Sequence, residues 1–221
     1  MEDLSYILFI CVVAPMASLL FVTERKMRSS VIFILVGTFV CLFVSEVNGI
    51  LYNNLNVDLF YLTTSVTPIT EELVKSLPVF FFALAVSDKL EDLLPVAFLV
   101  GIGFAVMENL ILLTQNIGEV TLFWAVVRGF ASGLMHGICT GMVGICISCI
   151  RRKKKLFYCG ILAAFDLAIV YHSVFNALVQ ADRLYLNYIG FALPILFYIP
   201  IVVTIAKRKK KAQQNAKPQA A

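Results

Sequence analysis

The sequence predicts an all-α fold: a polytopic transmembrane helical bundle of about seven spans, forming one domain. Three observations carry this expectation. The chain has 221 residues, 60% hydrophobic and only 14% charged, where a soluble domain has about a quarter of its residues charged. Its mean hydropathy is +0.90. Apolar runs of about 20 residues recur along it, each able to cross ~30 Å of hydrocarbon as a helix. An ordinary soluble enzyme, a disordered chain and a nucleic-acid binder are all excluded on this composition, despite the net charge of +4.

The runs cover residues 4–22, 31–52, 59–86, 93–113, 121–150, 156–179 and 186–206. The first opens on the acidic MED and has no small-residue cleavage site after it, so it reads as a mature span rather than a signal peptide. The third and fifth exceed what a span needs, which predicts tilt or kinking, and Pro68 and Pro78 are where the third would kink. Basic residues follow alternate spans: Arg25, Lys26 and Arg28 after the first, Lys89 after the third, Arg151 to Lys155 after the fifth and Lys207 to Lys211 after the seventh. The opposite loops contain only Arg183, which predicts an outside N-terminus and a cytoplasmic C-terminus. Residues 1–206 thus form the membrane domain, and 207–221 a basic, disordered cytoplasmic tail. All six cysteines lie in or beside apolar runs, so they read as small hydrophobes, the Cys146/Cys149 pair included.

Ionisable residues inside spans are costly and mark function by default. Here they concentrate on four successive runs: Glu71, Glu72 and Lys75 on the third, Glu108 with Asn109 on the fourth, Arg128 and His136 on the fifth, Asp166, His172 and Asn176 on the sixth. Lys75 is three and four residues from the two glutamates and can reach back to either. Arg128, Ser132, His136 and Thr140 share one stripe, beside a ladder of Gly129, Gly133, Gly137 and Gly141 that permits close helix approach. His172 and Asn176 are one turn apart. Asp166 lies about 120° from His172 around the helix and reads as a structural, helix-contacting residue. Glu46 reads as interfacial.

Carboxylate and imidazole together can activate water, and imidazole and amide donors can stabilise a developing oxyanion. The same side chains could hold Zn²⁺, with Glu72, Glu108, His136 and His172 as candidate ligands. No serine nucleophile motif is present, and Ser132 is better placed for packing. A proton- or ion-coupled transporter using the Glu/His cluster as a relay is the alternative, but the chain has no internal repeat of the kind transporters use.

Four motifs in order, E-E-x-x-K (Glu71 to Lys75), F-x-x-x-E-N (Phe104 to Asn109), R-x7-H (Arg128 to His136) and H-x-x-x-N (His172 to Asn176), resemble the PrsW family of intramembrane proteases. That family is grouped with the prenyl-protein (CAAX) and bacteriocin-processing membrane proteases. The resemblance spans roughly residues 66–180. In the CAAX-type relatives the first motif ends in Arg one residue further on, and His stands where this chain has Glu108; both departures favour PrsW.

The resemblance implies a peptidase of a bacterial plasma membrane that cuts a single-pass membrane protein, an anti-sigma factor in relatives, on its extracytoplasmic side. It implies Glu71 and Glu72 as catalytic carboxylates and His136 as their partner in activating water. It also implies His172 and Asn176 as the oxyanion-stabilising pair, and Glu108 as a further acid or ligand. Lys75, Arg128 and Asn109 support them. Relatives are described both as metalloproteases and as metal-free glutamate proteases.

Overall fold

A computed structural model describes residues 10, 12–14, 16–18, 20, 21, 24–118, 120–150 and 157–215. Among these the protein is helical, with short connections and no strand. Helix α1 spans Arg25–Leu55. After Asn56, whose left-handed backbone (φ 48°) ends α1, Asp58 caps a short turn, Leu59–Tyr61, by accepting the Tyr61 N–H. A π-helical turn, Leu62–Val66, leads into α2, Thr67–Ala85. Helix α3 is Leu90–Gln115. A lead-in helix, Leu122–Val127, and a second π-helical turn, Arg128–Ser132, precede α4, Gly133–Ile150. Helices α5 and α6 are Phe157–Val179 and Leu184–Asn215.

Among the described residues, five helices are long and apolar enough to cross a membrane: Met27–Leu55, Leu90–Gln115, Trp124–Ile150, Tyr158–Val179 and Leu184–Val203. The expected first span falls largely outside the described residues, as does the basic run Arg151–Lys155. The expected third span is helical through α2, yet it does not join the five, because Glu71, Glu72 and Lys75 crowd its first half. At the other end, α6 carries through the basic run to Asn215, so residues 207–215 of the expected disordered tail continue the helix.

Helix α2 is polarised inside out. Its buried face carries Glu71, Glu72, Lys75 and Ser76, then Val79 and Ala83, while Ile69, Leu73, Leu77, Phe81 and Leu84 are exposed. Four helices surround that buried face: α1, α3, α4 and α5. Exposed apolar side chains on the outside and ionisable ones within suit a helix whose outer solvent is lipid.

Glycines set the closest crossings. A Cβ on Gly37 would land on the Val100 carbonyl oxygen and 2.8 Å from the Phe104 nitrogen, and one on Gly103 would land on the Ile34 carbonyl oxygen, so α1 and α3 touch backbone to backbone. A Cβ on Gly101 would lie 2.7 Å from the His136 carbonyl carbon and 2.9 Å from Gly137 Cα. That contact fixes how near α3 holds the His136 turn of α4. The ladder read from sequence is used unevenly: Gly137 packs on the Phe98 ring, whereas Gly129 meets nothing within 4 Å. Two apolar clusters flank the polar centre. One joins Val79, Leu93, Met135 and Phe175, the other Val40, Val44, Phe104 and Met107.

Candidate active site

The site begins with an irregularity that Pro68 imposes. In the π-helical turn the Thr67 N–H bonds to the Leu62 carbonyl, five residues back. The next donor in that register would come from residue 68, and proline has no N–H. The Thr63 carbonyl is therefore left over, and the Asn176 side chain of α5 donates to it at 2.9 Å. At the second π-helical turn, Asn109 donates to the Arg128 carbonyl at 3.1 Å and accepts from Arg128 Nε at 3.2 Å. Single π turns of this kind recur at functional sites. Here each sits two turns before a site residue, Glu71 and His136, and helps set which way that residue faces.

Between them lies a continuous polar cluster. Lys75, fully buried, donates from Nζ to Glu72 Oε1 at 2.7 Å and to His136 Nδ1 at 2.7 Å, and it is 3.8 Å from Glu71 Oε2. Its ammonium also sits 4.3 Å from the centre of the Phe104 ring, a cation–π contact. With Nδ1 accepting from Lys75, the His136 proton lies on Nε2, which faces Glu108 Oε2 at 3.2 Å. Arg128 pairs with the same Glu108 oxygen at 2.6 Å, and Ser132 Oγ approaches it at 3.4 Å. On the other side, His172 donates from Nδ1 to Glu72 Oε1 at 2.8 Å. That leaves His172 Nε2 as a lone pair 3.7 Å from Glu71 Oε2. Both of those atoms are buried and without a hydrogen-bond partner.

A cavity of about 690 Å³ reaches the cluster from the end of the bundle where α1, α3 and α5 finish and α2 and α4 begin. Glu71, Glu108, Arg128 and Asn176 line it; Glu72, Lys75, His136 and His172 do not. The two adjacent glutamates are thus separated by environment. Glu71 faces the cavity, and Glu72 is sealed behind it, shared by Lys75 and His172. Asn109 touches Arg128 rather than the centre. Asn176 spends its amide protons' nearest contact on Thr63, away from His172.

The residues suit a metal ion. Glu71, His136 and His172 each offer one ligand atom, all within 4.8 Å of one another. His172 also has the arrangement typical of ligating histidines, one nitrogen held by a carboxylate and the other free. The triad differs from the set read in the sequence: Glu71 joins the histidines, Glu72 stands behind them, and Glu108 pairs with Arg128. Two residues that the sequence did not single out as site residues complete the geometry. Phe104 carries Lys75 on its face, and Pro68 creates the unpaired carbonyl.

A hydrolase working inside a bilayer must wall off lipid and still admit water. This chain meets both demands with helix ends around a polar centre, and the class so defined is the intramembrane peptidase. The family described as PrsW family intramembrane metalloprotease matches residues 26–205, most of the chain. The protein belongs to that family and is a membrane peptidase. No curated protein and no solved structure matches it.

Proposed function

We propose that the protein is an endopeptidase that hydrolyses a peptide bond in a single-pass, membrane-anchored protein of the anti-sigma factor type. In this reading Glu71 is the base. The observation that carries it is the division of labour within the glutamate pair: Glu71 lines the cavity, while Glu72 is held by Lys75 and His172. A water in the cavity gives its proton to Glu71 as its oxygen forms a bond to the scissile carbonyl carbon. The same carboxyl then returns the proton to the departing amine as the C–N bond breaks. Lys75 and Arg128 offset two of the three carboxylate charges of the cluster, those of Glu72 and Glu108. Of the two imidazoles, His136 carries an Nε2–H, now directed at Glu108, that can turn towards the developing negative charge, whereas His172 Nε2 is a lone pair suited to a metal ion.

With one Glu71 oxygen as ligand and the other left to act as base, Glu71, His136 and His172 would hold Zn²⁺. When bound, such an ion polarises the carbonyl and acidifies water. His136 would give up one of its two present contacts, to Lys75 or to Glu108, to serve as a ligand.

The basic residues support a chain of seven spans with the N-terminus outside and the C-terminus in the cytoplasm of a bacterium. That orientation puts the cavity mouth, with Asn116 and Gln180, on the extracytoplasmic side, opposite Lys89. A relay for transport has less support. The depression at the Lys89 end, by Glu91, Ser148 and Cys149, shares no lining residue with the cavity.

The test is co-expression with a membrane-anchored anti-sigma factor reporter. Glu71→Gln should leave the protein level unchanged and abolish cleavage, and Glu72→Gln should reduce it. Full cleavage by a Glu71→Gln/Glu72→Gln variant refutes the reading.

A further inference from the structure

One carboxylate inside a span does not belong to the site. Asp166 lies within the Tyr158–Val179 span of α5, about 12 Å along the axis from Tyr158 and about 20 Å from Val179 at 1.5 Å per residue. The sequence suggests a contact within the bundle for it. Instead its side chain is exposed, and it has no hydrogen bond or ion pair among the described residues. The other carboxylates and cations in the middle of the described spans are engaged: Glu46 has a partner, and the rest join the active-site cluster.

Around Asp166 the helix presents an outward stripe. Leu162, Val170 and Val174 repeat with it every four residues and are 63%, 57% and 45% exposed. Cys159 and Ala163, small and exposed, lie on the same side and allow another helix to approach closely. An unpaired carboxylate facing hydrocarbon is strongly disfavoured, and aspartate is too short to reach a headgroup about 12 Å away.

We propose that this face of α5 docks the transmembrane anchor of the substrate, and that Asp166 pairs there with a lysine or arginine near the middle of that anchor. The proposal rests on the peptidase reading above. Charge complementarity selects the occupant. A second copy of the chain could not answer Asp166, because no lysine or arginine within the described spans is exposed at that depth. Continuity with the cavity supports the substrate in particular: α5 ends at Val179, and Val179 and Gln180 line the cavity. A helix lying along the stripe is led to the cavity mouth, where its end can unwind towards Glu71.

The test uses the full chain, donor-labelled, in phosphatidylcholine/phosphatidylglycerol vesicles. The probes are two acceptor-labelled Leu/Ala transmembrane peptides of about 20 residues, one with lysine at its centre and one with leucine. Energy transfer should show the lysine peptide binding about tenfold more tightly, the order that one interhelical polar contact supplies. Asp166→Leu should erase that preference and leave thermal unfolding unchanged or raised, since it replaces a lipid-facing carboxylate. Equal binding of both peptides, or a preference that survives Asp166→Leu, overturns the proposal. So does a lowered unfolding temperature in Asp166→Leu, which would give the residue a structural role. A wild-type dimer that Asp166→Leu dissociates would make a second copy the occupant and also overturn it. Association is read without cleavage. Cleavage is read separately on the membrane-anchored reporter: a protein that prefers the lysine peptide yet leaves the reporter uncut refutes the proposed substrate, whereas cleavage indifferent to Asp166 refutes the docking alone.

Discussion

Lys75 offers the sharpest test of how the cluster is held. Its side chain is 0% exposed, with Glu72 at 2.7 Å, His136 at 2.7 Å and Glu71 at 3.8 Å. Lys75→Met keeps most of the stem's volume and removes the charge, which strands Glu72 in the interior. Breaking one side of a buried pair typically costs about 3–5 kcal/mol, equivalent to between about two and four orders of magnitude in the folding equilibrium. Removing both charges in Glu72→Gln/Lys75→Met should restore most of that loss, because a glutamine oxygen still accepts from His172 and the carboxylate that Lys75 contacts at 2.7 Å is gone with it. The assay is reversible unfolding in bicelles across wild type, both single variants and the double variant. A loss below about 1 kcal/mol for Lys75→Met, the level of an exposed pair, would refute the buried-pair argument. A double variant as unstable as the two single losses added together would refute it equally.

Two further predictions concern position and metal. Gly101→Ala forces a methyl against the His136 backbone, so it should destabilise by about 1–3 kcal/mol and slow cleavage. Gly49→Ala, with nothing within 4 Å, should be neutral or stabilising in the same unfolding assay. Cobalt added to purified protein should give a visible absorption band that Glu71→Ala and His172→Ala each abolish. Glu72→Gln, which removes no ligand but changes the carboxylate that holds His172 and Lys75, should weaken cobalt affinity by about 10–100-fold. An unchanged affinity would remove Glu72 from that role.

The membrane class and the convergence of four polar segments were legible because they depend on composition and on spacing along single helices. Lys75 reaching back to Glu72 is such a case: three residues apart, the pair meets at 2.7 Å. What was not legible depends on helix phase and on neighbours. Adjacent glutamates differ by about 100° of rotation, and which one meets the cavity is decided by the helix's seating after the π-helical turn before Thr67. His172 and Asn176 share a helix face by spacing, yet Glu72 draws one inward and the Thr63 carbonyl left by Pro68 draws the other away. Asp166 lay beyond sequence reasoning for the opposite reason. A carboxylate in an apolar run signals that something must contact it, not whether that something belongs to the same chain.

The inverted polarity of α2 bears on how the protein is made. A segment carrying Glu71, Glu72 and Lys75 within a turn and a half gains little by leaving a translocation channel for lipid on its own. Packing of α3, α4 and α5 around it offsets that cost, so α2 is expected to settle in the bilayer together with them. Stalling synthesis between α2 and α5 would strand the very segment on which peptide hydrolysis depends.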